Sequence, residues 1–304
     1  MRPDDAVNID LGWLLLAYKD IHTYSYKLLA NTIMHIPLNK SYKNIFPFRL
    51  GTTSFIYKDN WVQNAKMLAP YLDEIELLQF ESRSNNCFPS SSEISELAIT
   101  AEEFKISYNI HLPIDINLGD PGKPEREYAV ETIIKTIELF STLSPTTYTL
   151  HLPYMGKNNR MDTVKSWKEY TAESIQQVLQ AGISNDLLSI ETLDYPFEWV
   201  GEMLEDLSLK VCLDIGHLIL YDFDYLAIIE KYFSRTTIIH LHGVENKQDH
   251  LSLDRLPEKD ISILIKNLKE FTKSLSIEVF NFSDLKCSLE YLERNWIELF
   301  AEKP

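Results

Sequence analysis

Short apolar runs alternate along the chain with longer segments that have the apolar spacing of helices. The runs cover residues 48–55, 74–80, 107–112, 147–152, 187–192, 211–216, 237–243 and 275–280. Several are almost continuously apolar, which is typical of parallel strands that helices cover on their outer face. We therefore predict eight strands, and the spacing between them, roughly 25–40 residues, suits β-α-β units.

The segments between these runs predict helices. Ser90 and Glu93 have the spacing of a capping box in front of an apolar-periodic segment. A helix over 162–182 is expected to start with Asp162 as its N-cap and to end at Gly182, because glycine is favoured just past a helix C-terminus. The remaining helices are expected near 60–72, 125–140, 196–206, 222–233, 257–273 and 283–295.

Eight strand–helix units in succession predict a single-domain (β/α)8 TIM barrel over residues 46–300. A doubly wound open sheet is the structural alternative, although the sequence has no glycine-rich dinucleotide-binding or phosphate-binding loop. Residues 1–45 do not fit the repeat. They predict an N-terminal extension: an amphipathic helix that packs on the domain, a poorly ordered segment, or upstream translation ahead of a start at Met34.

The net charge of the chain limits the kinds of molecule that it is expected to bind. It has 29 basic and 45 acidic residues, a net charge of −16, and such a surface repels a nucleic-acid backbone. Its three cysteines are far apart, which indicates a reducing compartment rather than a disulfide framework. We see no bilayer-spanning run and no secretion signal, so we expect a cytoplasmic protein with no membrane or nucleic-acid partner.

Polar residues gather where the predicted strands end. Six of the eight histidines lie at the C-terminal strand ends or in the loops just after them. In a barrel these ends converge on one mouth, where active sites lie. The candidates, in chain order, are His111, His151, Glu191, Asp214, His217, His240, His242, Asp249, His250 and Glu278.

Three of these candidates are carboxylates inside apolar runs. Burying Glu191, Asp214 or Glu278 without a partner is costly, and the neighbouring runs offer no basic residue. One histidine alone is more often structural than a ligand, but a bound cation satisfies carboxylates and imidazoles together. Histidine and carboxylate ligands suit Zn²⁺, Mn²⁺ or Fe²⁺. So many ligands predict one to three ions per chain, and clustered divalent ions suit phosphoester hydrolysis.

In this order the residues resemble the apurinic-endonuclease and sugar-isomerase TIM-barrel superfamily. The resemblance implies a core metal site formed by Glu191, Asp214, His240 and Glu278, to which members with more ions add the equivalents of His111 and His151. A third ion is held in such members by the equivalent of His217 and an Asp-x-His motif. Here that motif reads Asp249-His250 without a spacer, a departure from the pattern.

The amino-acid sequences of the predicted strands are similar to those of one family within this superfamily, the cobamide-remodelling phosphodiesterase (CbiR) family. The similar stretches include "YNIHLPIDINLGDP", "TYTLHLPY", "CLDIGHLILYDFD" and "IIHLHGV". The resemblance implies hydrolysis of the phosphoester in the nucleotide loop of an adenosylated cobamide, a B12-type cofactor, to cobinamide phosphate and the lower-ligand nucleoside. We expect Glu278 to serve catalysis as well as metal binding. We expect His242 to lie further out than His240, as a phosphate ligand or the acid for the leaving oxygen. The alternative is that His242 only caps the strand end and bonds to a loop carbonyl.

Three other functions remain open from the sequence. A sugar or sugar-acid isomerase or epimerase on the same barrel would need one ion and two carboxylates, for which Glu191 and Glu278 could serve. A DNA-repair endonuclease needs a basic face, which the net charge of −16 disfavours. A cobamide-binding protein without activity would not need the full set of ligands.

Overall fold

Eight parallel strands close into a barrel in this computed structural model, which describes residues 35–84, 87–156 and 160–300. The barrel strands are β1 (Arg49–Thr53), β2 (Glu74–Leu78), β3 (Ser107–His111), β4 (Tyr148–Leu150), β5 (Leu188–Glu191), β6 (Lys210–Asp214), β7 (Thr236–Leu241) and β10 (Ser274–Ile277). Around the barrel they run in the order β1-β10-β7-β6-β5-β4-β3-β2. The predicted TIM barrel is confirmed, and the open-sheet alternative is excluded.

Helices follow the barrel strands and cover them. They are α1 (Trp61–Leu68), α2 (Ser91–Phe104), α3 (Lys123–Phe140), α4 (Met161–Gln180), α5 (Glu198–Asp206), α6 (Ile215–Leu220), α7 (Tyr225–Tyr232), α8 (Glu258–Leu268) and α9 (Phe282–Phe300). Among the described residues, no helix is both long enough and apolar enough to cross a membrane.

The helix boundaries follow from local sequence. Ser90 and Glu93 form the predicted capping box in front of α2. Gly182 follows α4 with a positive φ of 92°, the conformation for which glycine was expected there. Asp162 is not the N-cap of α4. The helix begins one residue earlier, after Arg160, and Asp162 lies in its first turn, where its charge is favourable to the helix dipole.

A small hairpin after β7 was not predicted. It joins β8 (Gly243–Glu245) to β9 (Gln248–Leu251) as an antiparallel pair. Its two turn residues, Asn246 and Lys247, both have positive φ, as in the tight turns that suit two-residue hairpin loops. The turn is polar and its strands are short, so the apolar pattern does not reveal them. The hairpin returns the chain to the barrel mouth.

The chain segment before β1 packs on the barrel over a longer stretch than the sequence indicated. Leu38, Tyr42 and Phe46 are buried in the same apolar core as the barrel residues. Phe46 lies edge-on to Trp296 of α9, with ring centroids 5.2 Å apart. The compact unit that contains the barrel begins at Pro37, nine residues before the predicted boundary at 46. The rest of the predicted extension, residues 1–34, lies outside the described residues.

Candidate metal centre

The predicted polar side chains lie together at the barrel mouth, at the carboxyl ends of six barrel strands. His111, Glu191 and Asp214 are the last residues of β3, β5 and β6. His240 lies next to the end of β7, while His151 and Glu278 come directly after β4 and β10. All are buried except His151, whose side chain is 21% exposed. The expected convergence at the barrel mouth is therefore confirmed.

Four of these residues form a core group. Glu191, Asp214, His240 and Glu278 place one ligand atom each within 4.8 Å of one another. His240 Nδ1 lies 2.9 Å from Glu278 Oε2 and 3.8 Å from Glu191 Oε2. These three atoms are buried but have no aligned hydrogen-bond partner. Unsatisfied buried donors and acceptors that face one another fit a bound cation, and the nitrogen and oxygen donors suit a transition ion.

A second group adjoins the core through Glu191. His111 Nε2 and His151 Nε2 lie 3.3 Å and 3.0 Å from Glu191 Oε2. The backbone carbonyl of Leu112 lies 2.9 Å from His111 Nδ1 and can only accept a hydrogen bond, so Nδ1 carries the proton. The Nε2 lone pair of His111 is therefore free to bind an ion that Glu191 shares with the core group.

A third group lies on the other side of the core and consists of His217, His242 and His250. His217 stands in the first turn of α6, and its backbone N–H donates to Asp214, the N-cap of that helix. Asp249 Oδ2 lies 4.0 Å from Nε2 of both His217 and His250. Although the Asp249-His250 pair has no spacer, Asp249 still faces the third group, and His250 adopts a positive φ of 51°.

His242 does not stand further out than His240, and this prediction is corrected. Both rings are fully buried. The backbone N–H of His250 donates to His242 Nδ1 at 3.0 Å, so the ring proton is on Nε2, which lies 3.1 Å from Asp214 Oδ1. Both nitrogens are engaged inside the protein. This arrangement orients Asp214 and does not support the predicted role of His242 as an acid facing the substrate.

Gly216 makes room for His242. A Cβ atom at this position would lie 1.9 Å from Cε1 of the His242 ring. Any larger residue at position 216 would therefore displace the ring and disturb its contact with Asp214.

Opposite charges balance inside the centre. Within the described residues, the ion-pair partners of Glu191, Asp214 and Glu278 are all histidines. Burial by itself would lower the pKa of His217, but the carboxylates of Asp214, Glu191 and Glu278 together outweigh it and raise that pKa to about 10. Burial and the neighbouring His242 lower the pKa of His250 to about 4. Without an ion, protons on the imidazoles supply positive charge that a divalent cation would otherwise supply.

The family of the chain follows from a match to residues 72–301 by the sequence model described as "Xylose isomerase-like TIM barrel". The chain belongs to this family. A search of curated protein sequences finds no match to it. The assignment therefore gives this xylose isomerase-like barrel a family but not a substrate.

Solved structures share the fold of this xylose isomerase-like barrel. A D-tagatose 3-epimerase-like protein superposes with a TM-score of 0.70 at 19% identity, covering 83% of this chain and 98% of that one. Endonuclease IV from Thermus thermophilus gives 0.64 at 20%, covering 82% and 99%. A xylose isomerase domain protein from Planctomyces limnophilus gives 0.62 at 14%, covering 87% and 99%. At such identities the likeness establishes the fold alone.

Sequence reasoning missed Glu76, a fully buried carboxylate on β2 of this xylose isomerase-like barrel. Its Oε1 lies 3.0 Å from His240 Nε2. The signal was available, because Glu76 sits in the apolar run 74–80 just as Glu191 and Asp214 sit in theirs. Cys212 also lies close to Glu191 and His240, but burial raises the pKa of its thiol. A protonated thiol is a poor metal ligand, so we assign Cys212 to the packing of the barrel interior rather than to the metal centre.

Three phenylalanines form an aromatic wall beside the centre. Phe55, Phe80 and Phe280 follow the ends of β1, β2 and β10, which are neighbours in the barrel. Phe80 lies 5.2 Å from Phe55 and 6.1 Å from Phe280 between ring centroids. The wall reaches the metal ligands at both ends, since Phe280 is 4.9 Å from His250 and Phe80 is 6.3 Å from His111. All three phenylalanines are partly exposed, so a planar group can stack beside the centre.

Proposed function

We propose that this protein is a metal-dependent phosphodiesterase that hydrolyses the phosphoester in the nucleotide loop of adenosylated cobamides. Water would add to phosphorus, the bond to the ribosyl oxygen would break, and that oxygen would take a proton. The products are cobinamide phosphate and the lower-ligand nucleoside, from which a cell can rebuild the cofactor with another base.

The observation that carries this proposal is the number of separable donor groups. Beside the core group lie His111 with His151 on one side and His217 with His250 on the other, and Nε2 of both His217 and His250 lies 4.0 Å from Asp249 Oδ2. Proton transfer by an epimerase that works with a single ion would use the core group alone and would leave the outer histidines without a role as ligands. When bound, clustered divalent ions supply activation of water and neutralisation of charge on the phosphate and the leaving oxygen.

The side chains near the centre would position the ligand atoms and the substrate. Glu191 belongs to both the core and the second group, so it would hold the ligand atoms of the two groups next to one another. Asp214 is oriented by His242 and by the helix it caps, which holds its oxygens in place. The aromatic wall offers a stacking surface for the planar base of the lower ligand. The substrate of a sugar epimerase has no such planar ring.

Sugar epimerisation is the second candidate, favoured by the core group taken alone. Glu191 and Glu278 lie on either side of His240 Nδ1, at 3.8 Å and 2.9 Å, and two carboxylates flanking one ion could move a proton between two faces of a carbon. The two candidates differ in metal content. One ion per folded chain favours the epimerase, and two or more favour the phosphodiesterase.

The experiment is a parallel incubation of purified, metal-loaded protein with three substrates. These are adenosylcobalamin, a ketohexose mixture and a duplex that contains an abasic site. Mass spectrometry should find cobinamide phosphate and nucleoside in the first reaction only. Variants with alanine at His111 and at His151 should lose this turnover while keeping a folded barrel. A changed ketose with intact cobamide would instead establish the epimerase.

A further inference from the structure

Glu76 is a buried carboxylate that does not belong to any of the three donor groups. Its Oε2 accepts a hydrogen bond from Ser276 Oγ at 2.6 Å, and Ser276 pairs with His240 across β10 and β7. Its Oε1 lies 3.0 Å from His240 Nε2 and has no aligned hydrogen-bond partner. The imidazole of His240 thus has Glu76 at one nitrogen and the core group at the other.

The two nitrogens of a neutral imidazole differ, because one carries a proton and the other a lone pair. An ionised carboxylate only accepts hydrogen bonds, so a proton on His240 Nε2 suits Glu76. His240 Nδ1 then presents its lone pair where Glu278 Oε2 approaches to 2.9 Å. Metal-binding histidines commonly direct their other N–H to a carboxylate, and this contact sets both the tautomer and the ring orientation.

We propose that Glu76 is a positioning residue that holds His240 with its Nδ1 lone pair directed at the ion of the core group. The inference rests on the proposed metal centre and adds a specific ligand atom and a specific partner to it. Glu76 itself does not touch the ion or the substrate.

Glu74, two residues earlier on β2, shows what a purely structural carboxylate looks like in this barrel. It is equally buried, and its oxygens accept hydrogen bonds from Ser107 at 2.8 Å, Asn109 at 3.0 Å and Thr146 at 2.7 Å. Glu76 has one such donor, Ser276, and its second oxygen is left for His240. The comparison separates a carboxylate held for packing from one held for an imidazole.

The test compares Glu76→Gln with the matched control Glu74→Gln, each checked for a folded barrel by circular dichroism. Zn²⁺ affinity is measured by competition with a chelator, and bound Co²⁺ is followed by its visible absorption. We expect Glu76→Gln to bind Zn²⁺ about 10- to 100-fold more weakly and to change the Co²⁺ spectrum. Glu74→Gln should leave both near wild type. Nitrogen-15 NMR of the zinc-loaded wild type should show His240 coordinated through Nδ1 and protonated at Nε2.

Several results would overturn the inference. Wild-type affinity and an unchanged Co²⁺ spectrum in Glu76→Gln would do so, as would equal losses in both variants or coordination of His240 through Nε2. If Glu76→Gln does not fold, Ser276→Ala removes only the hydroxyl that anchors Glu76, and unchanged zinc affinity in that variant would also overturn it. A wild-type protein that binds no ion is a different outcome, because it removes the proposed function itself.

Discussion

His240 lies near the end of β7 and His242 directly after it, and the two imidazoles have different partners. His240 lies between Glu76 and Glu278, at 3.0 Å and 2.9 Å, and one of its nitrogens faces the core group. His242 Nδ1 accepts a hydrogen bond from the backbone N–H of His250, and His242 Nε2 lies 3.1 Å from Asp214 Oδ1. The first imidazole is a candidate ligand for an ion in the core group, and the second supports the candidate ligand Asp214.

Alanine substitutions should separate these two roles. His240→Ala is expected to lose the core ion and turnover together, because it removes a ligand atom. His242→Ala should keep the core ion and lose turnover, since Asp214 and the third group lose their support. Metal content per folded chain, measured alongside activity, checks both. A His242→Ala protein that loses the core ion as His240→Ala does would show that the division of roles is wrong.

Ion binding should release protons at neutral pH. The pKa of His217 is raised to about 10 in the ion-free protein, so this imidazole is protonated at about pH 7.5 and must lose its proton to bind an ion. The affinity of the third group should therefore fall as the pH is lowered from about 10. Calorimetric titration with Zn²⁺ in two buffers of different ionisation enthalpy gives the number of protons released. Equal release from wild type and His217→Ala would contradict the assignment.

The site residues that could be predicted from the sequence are those whose burial is evident from an apolar run. Glu191, Asp214 and Glu278 stood out because a carboxylate in an apolar run requires a partner, and all three lie in the core group. Glu76 met the same criterion and was missed because it does not stand at a strand end. The inward position of His242 could not be predicted, because it depends on a hydrogen bond from His250 in a hairpin that has no apolar pattern.

Short elements at the barrel mouth shape the centre as much as the strands do. Helix α6 begins immediately after β6, so Asp214 both ends the strand and caps the helix. Gly216 in this helix leaves space for the His242 ring, and the β8–β9 hairpin covers the ring from the other side through His250. The eight barrel strands followed from their apolar runs, whereas these contacts depend on the tertiary fold.

Gly216→Ala tests whether this space matters. The added Cβ would overlap the His242 ring, so we expect a loss of about 1–3 kcal/mol in the free energy of unfolding, typical of overpacking, together with lower turnover. Gly201→Ala in helix α5 is the matched control, since its Cβ would approach only the Tyr232 hydroxyl, at 3.1 Å. Denaturant titration of both variants is the measurement. Equal stability of the two would contradict the steric account.

At the scale of the whole molecule, an acidic barrel surrounds a centre whose own carboxylates are balanced by histidines. The net charge of −16 disfavours a long polyanion such as DNA, whereas a single phosphodiester needs only local positive charge, which bound ions supply. The net charge follows directly from the composition, and the barrel was predicted from the apolar runs. The sequence left open whether the segment before the barrel packs on it, because a few apolar residues such as Leu38 and Tyr42 form no periodic pattern.

Two truncations test that packing. A chain that starts at Ile45 loses Leu38 and Tyr42, and full burial of an apolar side chain is worth about 1.5–3 kcal/mol. We expect this protein to melt at a lower temperature or to aggregate. A chain that starts at Pro37 keeps both residues and should fold and bind metal. Equal thermal stability of the two truncated proteins would show that the segment contributes nothing to the barrel.

The most direct test of the central claim is hydrolysis of adenosylcobalamin by the metal-loaded protein in water enriched in oxygen-18. Attack of water on phosphorus predicts that the label appears in cobinamide phosphate and not in the released nucleoside. The label should be absent when a chelator has removed the metal, and with His240→Ala. Label in the nucleoside would contradict cleavage at phosphorus, and intact cobamide in the presence of fully loaded protein would contradict the proposed function.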